Sequence, residues 1–163
     1  MSEAVPSTTS AEERLAELGL TLPAPGPPGG NYTKSTRSGQ LLFVSGHLPD
    51  SSGEPLYTGK LGRDLTTQEG YAAARQAMLS LLATVRAAIG SLHEVERFLK
   101  LFGMVNSSED FIEQSLVING ASDLLRDVFG EAGLHARSAV GMMQLPRNNC
   151  VELEAIVEIT DGR

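Results

Sequence analysis

The charged residues near the C-terminus are the first that could carry chemistry. The stretch HARSAVGMMQLPRNNCVELEAIVE, residues 135–158, contains Arg137 and three carboxylates that share one side of a predicted strand, Glu152, Glu154 and Glu158. Its pattern predicts two strands joined by a tight turn at residues 146–149, because asparagine and proline are common in turns. A strand buried on both faces has no room for such charges. The predicted hairpin therefore raises the question of what Arg137 and Glu152 do.

The spacing of Arg137 and Glu152 limits how they could act together. In the predicted hairpin Arg137 lies opposite, or nearly opposite, Glu158, whereas Glu152 lies close to the turn. The two residues are then roughly 20 Å apart, at about 3.3 Å per strand residue. That distance is too large for one site within one chain. A joint role would need a neighbouring subunit, and it predicts a site at a subunit interface.

Simpler interpretations of the same residues stay open. Arg137 and Glu158 can form a cross-strand ion pair, which at a surface contributes about 0–1 kcal/mol. Glu152 and Glu154 can protect an edge strand against aggregation. We interpret Cys150 as a small packing residue rather than a nucleophile. Periodicity alone predicts an oligomeric α+β domain in which an interfacial site is one alternative.

The composition is that of an ordinary globular domain. Of the 163 residues 41% are hydrophobic and 20% are charged, and the net charge is −7. Aromatic residues make up 5% and tryptophan is absent, so both the charge and the shortage of stacking rings disfavour nucleic acid as a partner. No apolar run is long enough to cross a bilayer. With no secretory signal and a single cysteine, we expect a cytoplasmic protein without membrane association.

The histidines give no indication of a metal site. His47, His93 and His135 are far apart in the sequence, and none has the spacing of a metal ligand relative to a cysteine or carboxylate. We therefore expect neither a metal nor a cofactor.

Helix signals predict the elements that position these residues. Capping-box patterns beginning at Ser10 and Thr66 predict a short helix over residues 10–19 and a long helix that ends near Gly90. A second long helix is expected to be capped by one of two serines. The predicted cap is Ser107 or Ser108. The predicted buried stripe consists of Ile112, Leu116, Leu124 and Val128.

A segment rich in proline and glycine, residues 23–30, is typical of a linker. We therefore interpret residues 1–29 as an N-terminal extension with a short helix, and residues 30–163 as the main domain.

The strand signals complete an α+β pattern. Residues 32–38 and 41–46 predict a hairpin around Gly39, and residues 97–105 predict a strand between the two long helices. The order β-β-α-β-α-β-β favours one mixed sheet with both helices on one face. In the last strand the odd positions from 151 to 159 are apolar and should lie under the helices. The opposite face has no helix left to cover it, so we expect another copy of the chain to do so.

Three segments carry a family resemblance. ARSAVGMMQLP followed by VELEAIVEI, the strand LLFVSGHLP with its Ser-Gly pair, and the helix AARQAMLSLLATVRAAIGSLHEVER follow one another in the right order. Together they resemble the Rid family, the reactive intermediate deaminases also called YjgF-type or L-PSP proteins. The resemblance extends from Gly30 to Ile159.

The resemblance implies a fold and an activity. The family has a chorismate-mutase-like α+β sandwich, expected here as a six-stranded mixed sheet with two helices on one face, assembled into a homotrimeric barrel with sites between subunits. Its active members hydrolyse 2-imino acids, or their enamine tautomers, to 2-oxo acids and ammonia without a cofactor. The implied partners are a small carboxylate-bearing imine or 2-oxo acid and further copies of the chain.

The resemblance also implies residue roles. Arg137 matches the arginine that holds the substrate carboxylate, a task suited to a planar fork of N–H donors. Glu152 matches the glutamate that orients or activates the attacking water. The other matching positions line the cleft, namely Tyr32, Ser45, Gly46, Asn119 and the backbone of Ala139.

Three positions depart from the family pattern. Ala139 stands where many members have a cysteine, Ser122 where an aromatic residue is common, and His135 where a small residue or proline is usual. They indicate a divergent branch. A non-catalytic trimer that binds small carboxylates is therefore the alternative to a deaminase, while the acidic charge disfavours the endoribonuclease activity reported for the family.

Overall fold

The first two helices begin at the predicted caps. The computed structural model of the chain describes residues 10–51 and 54–161. Helix α1 spans Ala11–Glu17 and α2 spans Thr67–Ile89, and each has a complete capping box, at Ser10 and at Thr66. α2 ends at Gly90, whose φ of 88° is readily adopted by glycine. Both predictions are confirmed. No helix in this part of the chain is both long and apolar enough to span a membrane.

Helix α3, Gln114–Phe129, begins later than predicted. Its N-cap position is Glu113, which makes no capping hydrogen bond through its side chain. Ser107 and Ser108 instead donate their backbone N–H groups to the carbonyls of Met142 and Leu61, so they continue the strand connections and do not cap a helix. The predicted stripe is therefore only half right. Leu124 and Val128 are buried, whereas Ile112 and Leu116 are 86% and 49% exposed.

The main sheet has five strands, not the predicted six. The strands of the chain are β1 Ser35–Ser38, β2 Leu41–His47, β3 Asp50–Ser51, β4 Glu54–Pro55, β5 Val95–Asn106, β6 Ala136–Met142 and β7 Val151–Ile159. The order in the main sheet is β1-β2-β7-β5-β6, and a separate two-stranded ladder pairs β3 with β4. β5 and β6 are parallel and the other neighbours in the main sheet are antiparallel, so the predicted mixed α+β arrangement is confirmed.

Strands β6 and β7 do not form the predicted hairpin. β5 lies between them, so Arg137 pairs with Leu101 in the parallel register. Glu158 forms its ion pair with Arg97 instead, at 2.7 Å. The segment between the two strands does turn, with positive φ at Arg147 and Asn148, but it also passes the end of β5. β7 is consequently a central strand, and the interpretation of Glu152 and Glu154 as protection of an edge is wrong.

The two faces of the sheet differ as expected. Val151, Leu153, Ala155, Val157 and Ile159 are buried under the helices. The two long helices pack closely at Gly120 of α3. A Cβ added there would lie 2.0 Å from a backbone oxygen of α2, so only glycine fits at this contact. On the opposite face the paired residues Phe43, Ile156 and Lys100 are exposed or half-buried.

Helix α1 packs against the rest of the domain. Leu15 is 4% exposed and Leu22 is 8% exposed, and both belong to the core. The Glu12 carboxylate accepts hydrogen bonds from Ser91 Oγ and the Leu92 N–H, both at 3.3 Å. The predicted domain boundary at residue 29 stays a prediction, and residues 1–9 lie outside the described part of the chain.

Candidate functional site

Arg137 lies on the face of the sheet that is covered by α3. Its Nη1 donates to Asn119 Oδ1 at 2.9 Å and to Ser122 Oγ at 3.1 Å, and its Nη2 donates to the Ser115 carbonyl at 3.3 Å. All three acceptors are neutral. A guanidinium has five N–H donors, and within the described residues no hydrogen bond uses Nε–H or the second Nη2–H. The half-buried cation therefore keeps donors with which it can bind a carboxylate.

Asn119 and Ala139, two of the residues that the resemblance implied for the site, lie beside Arg137. Asn119 is bonded to the guanidinium directly. Ala139 is two residues further along β6 and pairs with Gly103, so it lies on the same face as Arg137. Its partly buried side chain packs against the core. The Arg137 half of the predicted site is therefore assembled within one chain.

Glu152 lies on β7 on the opposite face of the sheet. Its carboxylate packs against Gly46, where an added Cβ would lie 1.9 Å from Oε1. Burial, and after it the neighbouring Glu154, raises the pKa of the Glu152 carboxyl. Among the residues that the structure describes, this half-buried carboxylate has no hydrogen-bond partner. It has the properties of a proton acceptor for a water molecule.

Glu152 opens into a cavity of about 850 Å³. Gly46 and Tyr32 line it, as do Lys34 and Arg147. The Tyr32 hydroxyl accepts a hydrogen bond from the Gly29 N–H at 3.1 Å, so the segment rich in proline and glycine forms one wall. The sequence analysis predicted Tyr32 and Gly46, but it did not indicate that this segment or the two cations would line the same cavity as Glu152.

Ser45 occupies a neighbouring position. Its Oγ donates to the Lys34 carbonyl at 3.0 Å, and it lines a second cavity of about 500 Å³ on the open face of the sheet. This cavity also contains Phe43, Lys100 and Glu154. Ser45 therefore supports the wall near Glu152, and its hydroxyl is engaged by the backbone.

The two halves of the site are separated within one chain. Leu101 of β5 pairs with Arg137 on one side and with Ala155 on the other. Ala155 is three residues along β7 from Glu152. With β5 between β6 and β7, the offset is roughly 10 Å along the strands and roughly 10 Å across them. Arg137 and Glu152 also point to opposite faces. Arg137 and Glu152 could therefore act on one substrate only if a second chain supplied one of them. The intersubunit site stays a prediction.

Sequence reasoning missed the role of His47. Its ring nitrogens contact the Ser45 carbonyl at 2.6 Å and Thr84 Oγ1 at 2.7 Å. Burial lowers the pKa of His47 to about 4, so it is neutral at physiological pH. A buried neutral histidine next to Gly46 fixes the strand end against which Glu152 packs. Only its position directly after the Ser-Gly pair could have indicated this role.

Cys150 does not have the properties of a catalytic thiol. Cys150 is buried in the core, and burial raises the pKa of its thiol to about 12, which disfavours a thiolate nucleophile. Within the described ranges, no group of three or more histidine, cysteine, aspartate or glutamate side chains could hold a metal ion.

Fold and site together define an α+β sandwich of the chorismate-mutase-like class, in which an arginine and a glutamate occupy opposite faces of one sheet. Residues 12–158 match the family described as "YjgF/chorismate mutase-like, putative endoribonuclease". The chain therefore belongs to the YjgF/chorismate-mutase-like family, and the resemblance to Rid proteins is confirmed.

Named relatives support the same membership. The chain is 49% identical to Protein TCP17 of Trypanosoma cruzi over 148 residues, which cover 90% of this chain and 92% of the relative. It is 26% identical to a 2-iminobutanoate/2-iminopropanoate deaminase of Dermatophagoides farinae over 140 residues, or 86% and 94% of the two chains. A crystal structure of an Agrobacterium tumefaciens protein of unknown function superimposes with a TM-score of 0.86 at 50% identity, covering 92% of each chain.

Proposed function

We propose that the protein is a deaminase that hydrolyses small reactive 2-imino acids to 2-oxo acids and ammonia, at sites between the subunits of a homotrimer. The observation that carries this proposal is Arg137. It is a half-buried cation whose three bonds go to neutral acceptors and whose Nε–H and second Nη2–H have no acceptor within the described residues. A buried charge without a partner is costly, so these donors fit a bound carboxylate.

In the proposed reaction Arg137 binds the substrate carboxylate, and Glu152 of a neighbouring subunit accepts a proton from water. The water oxygen bonds to the carbon of the protonated imine, whose C=N electron pair moves to nitrogen, and a neutral carbinolamine forms. Glu152 then passes its proton to the nitrogen and takes the proton of the hydroxyl group as the C–N bond breaks, so that the carbonyl forms and the leaving ammonia recovers that proton as ammonium. Because an imine is already electrophilic, orientation and modest proton transfer are sufficient help. The relative from Dermatophagoides farinae is named for this reaction.

Exposed apolar groups support the proposed assembly. Ile112, Leu116 and Leu134 are 86%, 49% and 53% exposed, and they flank the residues that hold Arg137. Phe43 and Ile156 leave the uncovered face of the sheet partly apolar. A closed symmetric oligomer would bury both surfaces with copies of the same chain. It would also bring a foreign Glu152 to each Arg137.

The deaminase proposal is tested with imines generated in place. An L-amino acid oxidase acting on alanine or 2-aminobutanoate would release iminopropanoate or iminobutanoate, and semicarbazide would trap the imine that remains. We expect the wild-type protein to reduce the trapped imine and Arg137→Ala and Glu152→Gln to lose this effect. Absence of any effect by the wild type, or full activity in Arg137→Ala, would refute the proposal.

A carboxylate-binding trimer without turnover is the second candidate. It is favoured by the asymmetry of the site, since Arg137 is held by three hydrogen bonds whereas the Glu152 carboxylate has none among the described residues. Stabilisation of the fold by 2-oxobutanoate in a thermal-shift experiment, without imine hydrolysis, would select it. Cleavage of RNA that persists in Arg137→Ala would instead favour the endoribonuclease designation of the family.

A further inference from the structure

Two of the three positions that depart from the family resemblance, Ser122 and His135, are bonded to each other. Ser122 Oγ and His135 Nε2 are 3.0 Å apart, and His135 Nδ1 is 2.7 Å from the Gly133 carbonyl oxygen. Ser122 Oγ also accepts from Arg137 Nη1 at 3.1 Å. The departures thus form one chain of hydrogen bonds that ends at the guanidinium.

The direction of every bond in this chain follows from one acceptor. A carbonyl oxygen can only accept, so Nδ1 of His135 carries the proton and Nε2 is left as an acceptor. The Ser122 hydroxyl then donates to Nε2. Its lone pairs are consequently turned towards Arg137, where they accept from Nη1. With neutral His135, donors and acceptors match at each contact.

Protonation of His135 would break this match. Nε2 would become a donor, so the Ser122 hydroxyl would lose its acceptor and would have to rotate beside Arg137. Protonation would also place a second cation next to the guanidinium. Burial lowers the pKa of His135 most, the Gly133 carbonyl raises it, and the charge of Arg137 lowers it further.

The acidic groups of the neighbouring elements do not offset this positive charge. Asp123 accepts from the Tyr71 hydroxyl and Asp127 pairs with Arg75 on α2. Glu131 lies exposed in the short 3-10 turn that precedes His135. The charged group that acts on the pKa of His135 is Arg137, which lowers it.

We propose that Ser122 and His135 are positioning residues that hold Arg137 ready to bind a carboxylate, and that protonation of His135 releases this hold. The inference rests on the proposed function for the identity of the ligand, a small 2-oxo or 2-imino acid. It adds a dependence of ligand affinity on pH that the arginine alone would not have, because a guanidinium stays charged throughout this range.

The first test measures binding of 2-oxobutanoate by calorimetry between pH 5 and 8. We expect Ser122→Ala to weaken binding about 5- to 10-fold, since the guanidinium loses a charge-assisted bond, and Ser122→Thr to restore most of it by keeping the hydroxyl. His135→Gln keeps an acceptor near the Nε2 position but cannot titrate. It should bind well at pH 7.5 and lose the decline of affinity at low pH.

Matched controls separate this effect from a general loss of structure. Ser91→Ala removes another partly buried hydroxyl that is bonded to a side chain, Glu12, and His93→Gln replaces an exposed histidine. Both should bind 2-oxobutanoate as the wild type does, with the same pH profile. In the imine assay, Ser122→Ala should raise KM by a similar factor and leave kcat within about twofold.

The second test follows the His135 ring by NMR and needs no activity. In the wild type we expect the Nδ1–H tautomer, and in Ser122→Ala a higher titration midpoint because the neutral ring loses its donor. An unchanged midpoint in Ser122→Ala, or equal binding by the alanine and threonine variants, would overturn the inference. If the wild type binds the 2-oxo acid without accelerating imine hydrolysis, the deaminase proposal fails and the positioning role stands. If the wild type does not bind the 2-oxo acid, the titration midpoint of His135 in Ser122→Ala decides whether the inference stands.

Discussion

At the scale of single residues, the contacts of the candidate site explain more than the residue types do. Arg137 and Glu152 were identifiable from their setting in the sequence, and the structure places each of them in a distinct environment. Gly46 was predicted as part of a wall, yet its importance is steric, because it leaves room for Glu152. The bond between Ser122 and His135 could not be predicted, since strand and helix periodicity gives the face of a residue but not the neighbour that its side chain reaches.

Replacement of Gly46 by alanine should displace the Glu152 carboxylate. The added Cβ would lie 1.9 Å from Oε1, so the side chain must move away from its present position. We expect kcat for imine hydrolysis to fall about 10- to 100-fold, at the lower end of the roughly 100- to 10,000-fold that a general base contributes, because the carboxylate is displaced and not removed. In the Glu152→Gln background the same substitution should cost little more, because the group it displaces is already inactive. Additive losses in the double variant would contradict this explanation.

His47 should make the free energy of unfolding depend on pH. Its pKa is about 4 in the folded protein and about 6.5 in an unfolded chain, so the unfolded state binds more protons between these values. Stability is therefore complete above about pH 6.5 and falls as the pH decreases towards 4, by about 3 kcal/mol. Urea unfolding across this range should show the decline, and His47→Gln should remove most of it.

The remaining slope in that experiment has contributions of both signs. The pKa of His135 is also lowered, mainly by burial, so it contributes a decline in the same direction, whereas the raised pKa of Glu152 opposes that decline. His93→Gln, at an exposed histidine, should leave the slope unchanged. A wild-type slope that survives in His47→Gln would refute the role given to His47.

At the scale of elements, local signals were sufficient for helices and insufficient for strand neighbours. The capping boxes at Ser10 and Thr66 gave two helix starts correctly, because a capping box is a local interaction. The apolar alternation of residues 151–159 gave the buried face of β7 correctly. The apparent hairpin before it was wrong, because a turn at residues 146–149 looks the same whether the chain returns to the adjacent strand or passes the end of β5. Strand order depends on distant pairing that no local pattern reports.

Helix α1 should contribute to the stability of the domain. Leu15 is 4% exposed, so Leu15→Ala should lower the free energy of unfolding by about 2–4 kcal/mol through lost burial and a cavity. Leu18→Ala in the same segment is the control, since Leu18 is 44% exposed and should cost less than about 0.5 kcal/mol. Chemical denaturation measures both. Equal, small effects would show that α1 is a dispensable attachment and would support a domain boundary at residue 29.

At the scale of the whole molecule, Arg137 and Glu152 occupy separate parts of one chain. The guanidinium faces α3, and the carboxylate lies on the other face of the sheet beside a cavity of about 850 Å³. The sequence was sufficient for the conclusion that Arg137 and Glu152 cannot meet within a chain, although the hairpin on which that distance rested does not exist. The conclusion holds in the structure for a different reason, because β5 separates their strands and they lie on opposite faces.

The intersubunit site makes a prediction that only an oligomer can satisfy. If each site takes Arg137 from one subunit and Glu152 from its neighbour, Arg137→Ala and Glu152→Gln inactivate different halves of the site. Every mixed trimer of the two inactive chains should then contain one intact site among its three interfaces. We expect co-expressed, differently tagged variants purified through both tags to recover about a third of the wild-type imine hydrolysis, while each variant alone stays inactive. Light scattering should give three chain masses for the active species. Mixed trimers without activity would show that both residues act within one chain or that neither is catalytic, and in either case the site between subunits would have to be abandoned.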